Sequence, residues 1–317
     1  MNLDNLDWKI LAELDNDARA PNTRIAKKLR TNKNVVNYRI QNLEKKGIIR
    51  GYYTIINAYK LGYQGYRLYL RFQYTDTQKE KEIMEYFIKQ KNNWWISYLK
   101  GNWNMAILSW FRNQRELVGA MNEFFKQYRD FVEDYQLVVY YGIKHYRLPF
   151  TKKYLMGGAK KECMQADEKI ETDKTEIEIL KYLSTNGKAS LIAIANKVNL
   201  TPSAVKYRIK QLLNKGIVLG FRPIFDIKKL GYLQYKLDIN VKDTSIIEKI
   251  GKFAEEHDNV FYLDQTLGYA DVELEVYVND EKEFFQIIRD IRDKFSGNIK
   301  DHRFFLFEEI TKIEYMP

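Results

Sequence analysis

The sequence predicts an α+β chain of two successive halves, each a helical triplet closed by a strand and followed by a βαββαβ unit. Three observations carry this. Residues 8–63 and 177–232 are two copies of one segment, 169 positions apart without a gap and identical at 21 of 56 places. A period that long marks a duplicated domain, since solenoid repeats run about 20–50 residues. Inside each copy apolar residues recur at helical spacing, and after each copy strand-like alternation and amphipathic stretches take turns. Positive charge is also concentrated in the two copies.

In the first copy, Leu6, Ile10, Leu11 and Leu14 form a helical stripe, interrupted by Asp17-Ala18-Arg19-Ala20-Pro21. Thr23–Leu29 reads as a second helix with Ile25, Ala26 and Leu29 inward. Thr31-Asn32 offers a capping residue. The third helix then runs to about Lys46, where Gly47 can take the positive φ that ends it. Ile48–Ile56 alternates as a strand. The second copy repeats the order with Ile179–Leu183, Leu191–Val198, Thr201 as cap, and Pro202 at the first helical position, where its missing N–H costs nothing. Helix, helix, turn, helix, strand is the order of a winged helix-turn-helix.

The segments that follow read as βαββαβ units, the order of a ferredoxin-like fold. The first has strands at Tyr66–Tyr74, Trp95–Leu99, Met105–Phe111 and Tyr135–Tyr141, with helices at Lys79–Gln90 and Arg115–Tyr128. The second has strands at Leu233–Val241, Val260–Leu267, Val272–Val278 and Lys300–Ile310, with helices at Ile246–Glu256 and Glu281–Phe295. The expected domains are residues 1–62, 63–148, 173–231 and 232–317. Residues 149–172, with Gly157-Gly158 and mixed charges, are expected to be a linker.

The chain has 317 residues, 45% of them apolar, and a net charge of +10. Residues 19–60 carry 11 Lys/Arg against Glu44 alone, and residues 179–229 carry 10 against Asp226 alone. Residues 233–317 carry 11 against 19 acidic residues. Two basic modules on a more acidic remainder are the expected footprint of polyanion binding; two solvated faces are the plainer alternative. Apolar runs such as Leu137–Tyr141 are far too short to span a bilayer, and Asp4 and Asp7 interrupt any signal-peptide pattern. Cys163 is the only cysteine, so neither an intramolecular disulfide nor a cysteine-based metal cluster can form. The expectation is a soluble cytoplasmic protein without cofactor or metal.

The third helix of each copy divides into faces. Val36, Ile40 and Leu43 stand at core spacing, leaving Asn34, Asn37, Tyr38 and Gln41 outward; in copy two the outward set is Ser203, Lys206, Tyr207 and Lys210. Amides can bond adenine in bidentate fashion, and lysines reach guanine or phosphate, so these faces suit a DNA major groove. Asn32 and Lys33, and Thr201, belong to the same helix starts. Arg39 and Arg208 lie beside the core stripe, where they pair locally or hold a phosphate rather than read a base. The unequal faces predict an imperfect palindrome with a more A-rich half under copy one.

These residues resemble the Lrp/AsnC (feast/famine) family of transcription regulators, in an archaeal-type tandem duplication. The resemblance rests on Ile10-Leu11, Asp17-Ala18-Arg19, Ile25-Ala26, Val36-x-Tyr38-Arg39-Ile40-x-x-Leu43, Gly47-Ile48-Ile49-x-Gly51-Tyr52 and Leu61-Gly62-Tyr63. Copy two adds Leu200-Thr201-Pro202-Ser203, Gly220 and Leu230-Gly231-Tyr232. It departs at Asn186-Gly187-Lys188, and copy one departs at Thr31-Asn32-Lys33-Asn34, which lacks the proline. The resemblance implies double-stranded DNA as partner, a small-molecule effector such as an amino acid, and self-association. It implies that the ferredoxin-like units pair through their sheets, here within one chain. Phe304-Phe305-Leu306-Phe307 and Leu137–Tyr141 are apolar on both faces and can serve such a contact or simply the core. The family's Gly-x-x-Asp hairpin stands intact as Gly268–Asp271 and altered as Gly101–Asn104, which makes Gly101, Asn104, Gly268 and Asp271 weak effector-site candidates.

Catalytic motifs are scarce. There is no Gly-x-Gly-x-x-Gly, P-loop or Gly-x-Ser-x-Gly, and His145, His257 and His302 show no metal-ligand spacing. His145 and His302 fall at nearly equivalent places and are candidates to face each other. Siroheme decarboxylases share the two domain types and are the enzyme alternative. They would need a His and Arg cluster near Gly62–Tyr74, which holds Arg67 and Arg71 but no His. A protein-interaction module is the third reading.

Overall fold

The computed structural model describes residues 3–155, 160–165 and 168–316; Gly157-Gly158 lie outside them. The first half runs α1 (Asn5–Asn16), α2 (Asn22–Lys28), α3 (Lys33–Lys45), β1 (Ile49–Ile56), β2 (Gln64–Phe72), α4 (Thr77–Lys89), β3 (Asn93–Lys100), β4 (Met105–Phe111), α5 (Gln114–Tyr128) and β5 (Val132–His145). Between the halves lie α6 (Pro149–Lys152) and β6 (Glu162–Gln165). The second half repeats as α7 (Lys174–Thr185), α8 (Leu191–Val198), α9 (Pro202–Asn214), β7 (Val218–Phe225), β8 (Leu233–Val241), α10 (Ile247–Glu256), β9 (Val260–Leu267), β10 (Val272–Val278), α11 (Glu281–Lys294) and β11 (Ile299–Ile313).

The expected linker is therefore partly ordered structure. Glu162 and Met164 are buried on alternate positions, and β6 adds antiparallel to β5 with Lys144 opposite Cys163. Phe150 is buried among Trp8, Phe225, Tyr232 and Tyr277. Burying an aromatic ring removes on the order of 150–250 Å² from water, enough to hold this stretch against the first helix.

The wing strands pair with each other across the halves. β1 and β7 form a two-stranded antiparallel ribbon, so each helical triplet is closed by a strand that also serves the other. Bonds across this junction come in reciprocal pairs related by 169 positions. Ala18 N–H donates to Phe221 O at 2.9 Å, and Gly187 N–H to Tyr52 O at 2.9 Å. Asn57 N–H donates to Ile217 O at 2.8 Å, and Asp226 N–H to Ile48 O at 2.9 Å. Lys60 Nζ reaches Lys215 O, and Lys229 Nζ reaches Lys46 O. Residue i meeting j while j meets i is the signature of a two-fold interface, here written within one chain.

The eight strands of the two βαββαβ units close into an antiparallel barrel. The order is β2-β4-β3-β11-β8-β10-β9-β5, with β5 returning to β2. The halves join where β3 pairs with β11 and where β5 pairs with β9. The strands whose two apolar faces singled them out, Leu137–Tyr141 in β5 and Phe304–Phe307 in β11, are the ones that carry these joints. Outward side chains such as Leu68, Leu70 and Ile107 pack under α4 and α5; Leu237, Ile239 and Leu274 do so under α10 and α11.

The period of two sends the other residues inward. The alternation within β8 and β10 places Lys236, Asp238, Glu273 and Glu275 inside the barrel, together with Arg67 and Asp264, all at most 3% exposed. Arg67 bonds Glu273 at 2.9 Å and Glu275 at 3.4 Å, and lies 3.7 Å from Asp264. Lys236 pairs with Asp238 and with Glu273, the latter at 2.8 Å. Burial pushes the Asp238 carboxyl up to about 6 against the pull of Lys236, and raises Asp264 and Glu275 as well. Burial opposes ionisation of Glu273 too, but Lys236 and Arg67 hold it below its ordinary value.

A second buried network roots the helical layer and its wing ribbon on the barrel. Asp15 of α1 is fully buried and accepts from Arg222 Nε at 3.0 Å, Leu148 N–H at 3.0 Å and Thr151 Oγ1 at 2.6 Å. Arg147 donates to Asp15 O at 2.7 Å and pairs with Glu162. Removing one partner of a buried, hydrogen-bonded pair costs about 3–5 kcal/mol. Urea unfolding of Arg222→Met is expected to show a loss of about that size; a change below about 1 kcal/mol would remove this network from the account. A carboxyl whose folded value is raised binds its proton more tightly when folded. Its contribution to stability is full below the ordinary 3.8 and is lost as pH rises through about 6. The melting temperature is therefore expected to fall between about pH 4 and 6, and Asp238→Asn to flatten that fall.

Candidate nucleic-acid interface

Each third helix starts from a defined turn. Arg30 and Asn199 both hold φ at +53°, a left-handed turn residue that asparagine accepts more cheaply than arginine. Asn32 then accepts from Val35 N–H at 2.9 Å, and Thr201 from Ala204 N–H at 3.2 Å, meeting the orphan donors of α3 and α9. Val36, Ile40 and Leu43, and their counterparts Val205, Ile209 and Leu212, are buried. With that stripe fixed, the expected outward sets are where the sequence placed them. Asn32, Lys33, Asn34, Asn37, Tyr38 and Gln41 are exposed on α3, as are Thr201, Ser203, Lys206, Tyr207 and Lys210 on α9.

Tyr38 and Tyr207 are 69% and 63% exposed. Large rings left that open at the same point of both helices offer stacking or phosphate contact at little conformational cost. Asn37 is steadied by Asn22, whose Nδ2 lies 3.2 Å from its Oδ1. Thr201 Oγ1 lies 3.1 Å from Ser203 Oγ.

Arg39 and Arg208 are held back from this face. Arg39 Nη1 reaches Asp4 at 2.6 Å and Asp7 at 2.8 Å, the two carboxylates of the α1 capping box. Arg208 reaches Asp173, the N-cap of α7, at 2.5 Å. Hydrogen bonds to these acids push the Arg39 guanidinium up and hold Asp4 and Asp173 down. Of the two roles expected for them, local pairing is the one these contacts serve, and it fixes the third helix against the first.

The basic footprint also divides. Arg19 donates to Gly187 O at 3.0 Å and Ala189 O at 2.8 Å, and Lys188 lies over Tyr52 at 4.6 Å. Lys60, Lys215 and Lys229 bond backbone or carboxylate across or within the junction. Sequence counting gave all of them to the polyanion; the symmetry at the wing ribbon claims them instead. Their spacing of 169 was the available signal, since Arg19 and Lys188, like Lys60 and Lys229, are basic at matched positions.

The hairpin candidates are structural in a matched way. Asn104 Oδ1 accepts from Phe72 N–H at 2.8 Å, and Asp271 Oδ2 accepts from Val241 N–H at 2.8 Å. An amide oxygen thus does the work of the carboxylate, closing the end of the neighbouring strand. Gly101 and Gly268 hold φ at +143° and +109°, and Trp103 Nε1 donates to Tyr269 Oη at 3.0 Å, tying the two hairpins together. The histidine expectation fails: His145 lies in β5 and His302 in β11, strands that do not pair, with His302 opposite Ile239. Arg67 is spent inside the barrel, and Arg71 pairs outside with Glu133 and Asp134. Among the described residues no helix is long and apolar enough to cross a membrane, and no group of three or more His, Cys, Asp and Glu is placed to hold a metal ion.

The helix order, the exposed third helices and the strand that follows define a winged helix-turn-helix protein of DNA-binding type. The winged helix-turn-helix DNA-binding family matches residues 3–50 and 172–218. An uncharacterised HTH-type transcriptional regulator of Pyrococcus furiosus is 31% identical over 127 residues, covering 40% of this chain and 81% of that protein. The HTH-type transcriptional regulator LrpA of Pyrococcus horikoshii is 51% identical over 61 residues, covering 19% of this chain and 43% of its own. The chain belongs to the Lrp/AsnC family of transcription regulators, with the family unit present twice. In fold it is similar along its whole length to the siroheme decarboxylase NirDL, with a TM-score of 0.66, 13% identity, and coverage of 99% of this chain and 95% of that one.

The braces make a separable expectation. Arg39→Met should lower stability modestly, by about 0.5–1 kcal/mol for a pair this exposed, and leave base preference unchanged in a binding-site selection. A changed preference would return Arg39 to the contact set.

Proposed function

We propose that this chain is a sequence-specific DNA-binding transcription regulator of the cytoplasm, in which two fused halves act as an internal pseudo-dimer. One observation carries the reading: two exposed recognition faces stand at equivalent places of a two-fold arrangement that the wing ribbon builds within one chain. Their chemistry differs. Asn34, Asn37 and Gln41 favour adenine edges, whereas Lys206 and Lys210 favour guanine or phosphate. The preferred site is then an imperfect palindrome, its more A-rich half under the first module. Regulation by a small molecule fits the family. Self-association beyond the internal pair belongs to the same proposal.

An enzyme of the siroheme decarboxylase kind shares the fold, and fold alone does not define a reaction. The arginines it would draw on are paired, Arg67 with buried carboxylates and Arg71 with surface ones, which favours the regulator.

The test is duplex binding at low ionic strength. Replacing Lys206 and Lys210 by Glu, together with Asn37→Glu and Gln41→Glu, is expected to weaken binding at least a hundredfold, as several phosphate and base contacts become repulsions. Wild-type affinity should fall steeply with salt, in proportion to the phosphates neutralised. Unchanged affinity in the quadruple variant, with its fold intact by circular dichroism, defeats the reading. Selection of bound sequences should also return two unlike half-sites.

A further inference from the structure

The barrel is not filled to its mouth. Between its open end and the wing ribbon lies a cavity of about 680 Å³. Its roof includes Tyr53 of β1 and Phe225 of β7, its walls Trp94, Trp95 and Tyr315, and its floor Arg67, Asp264 and Glu275. Mouths of β-barrels are common places for small ligands. His145 also stands in the wall, fully buried, and neither ring nitrogen has a hydrogen-bond partner. Its ring is set edge-on to Tyr262 at 4.4 Å. Burial, with Arg222 and Arg147 nearby, keeps this imidazole neutral, so it has one donor and one acceptor unspent. Buried polar side chains nearly always have partners.

The charge of the floor indicates what kind of partner. Among the described residues the barrel interior holds four carboxyls, Asp238, Asp264, Glu273 and Glu275, against two cations, Arg67 and Lys236. The close contacts of those cations go to Glu273, at 2.9 Å from Arg67 and 2.8 Å from Lys236, and to Asp238. From these cations Glu275 and Asp264 receive only the longer contacts with Arg67, at 3.4 and 3.7 Å, and Glu275 has besides a neutral donor, Gln234 Nε2 at 3.0 Å. The two under-compensated carboxyls are therefore the two that face the cavity. A cation placed there would meet both in a water-poor site, where attraction is many-fold stronger than in bulk water. It would also have aromatic faces around it, and these attract cations. An anion reaching the floor would meet the carboxyls beside Arg67 alone, because the other cations of the lining are spent elsewhere or open to water: Arg50 and Lys228 are exposed, Lys100 pairs with Glu308, and Lys312 donates to the carbonyls of Ile88 and Gln90.

We propose that this cavity is a binding site for an organic amine, its ammonium group on Asp264 and Glu275 and its apolar body between Trp94, Trp95 and Tyr315. Burial raises both carboxyls toward their neutral forms, and the ammonium takes over the charge balance that a proton otherwise keeps. The roof of the site is the ribbon from which both DNA-binding modules hang, so the amine is the effector of the regulator proposed above. The binding claim itself is tested without DNA and survives or fails apart from that reading.

Isothermal titration of the full chain with tryptamine, phenethylamine and cadaverine is expected to give saturable one-to-one binding for at least one amine. Indole-3-propionate and 3-ethylindole, which carry a carboxylate or no charge on a similar body, are expected to bind at least tenfold more weakly. Asp264→Asn with Glu275→Gln keeps the shape of the neutral acids and should cut amine affinity at least tenfold while the melting temperature holds. No saturable binding by any of the three amines overturns the proposal. So does equal or tighter binding of indole-3-propionate, a comparison made on the unaltered protein and independent of how the variant folds.

Discussion

Neither half of this chain can finish its own DNA-binding module, and that constraint organises everything else. A single wing strand has one row of backbone donors and acceptors unmet, and leaving such groups unpaired in a buried place is costly. β1 meets the need of β7 and β7 that of β1. Once the ribbon forms, α1 lies against β7 and α7 against β1, and the reciprocal bonds at Ala18, Gly187, Asn57 and Asp226 fix the angle between the modules. The barrel closes by the same logic one layer below. The edge of one four-stranded sheet pairs with the edge of the other, and closure removes the exposed edges altogether.

The two layers differ in how they use buried charge. Under the wing, Asp15 and Arg222 form a saturated pair, its carboxylate oxygens receiving a guanidinium, a backbone amide and a hydroxyl. The site is specific rather than symmetric, because the positions 169 residues away are Ser184 and Tyr53. In the barrel, charge is buried with an excess of acid, an arrangement that stability alone would disfavour. Buried polar networks left incompletely satisfied are often found where a protein binds something.

Helices and strands were legible in the sequence because their apolar periods are strong. Val36, Ile40 and Leu43 sit in the core as spaced, and the strands predicted at Met105–Phe111, Leu233–Val241 and Val260–Leu267 match β4, β8 and β9 residue for residue. The recognition faces followed, since fixing the buried stripe fixes its opposite. What stayed hidden was the partner of each face. Lys236 and Asp238 alternate with apolar residues as a half-solvated strand would, and only barrel closure, a contact between segments far apart in sequence, turns that polar face inward. Arg19 and Lys188 counted toward the basic footprint because composition does not record which carbonyl oxygens a fold brings near. Phe150 and Met164 lay in a stretch whose glycines and mixed charge masked two short elements.

Fusion of the two halves also changes how such a molecule behaves on dilution. A regulator assembled from separate subunits loses its paired reading heads as its concentration drops below the dissociation constant of the dimer. Here the second head is always present at an effective concentration set by the chain itself, so occupancy of a two-part operator depends on the first power of protein concentration. A cell holding only a few copies would retain the full bivalent grip.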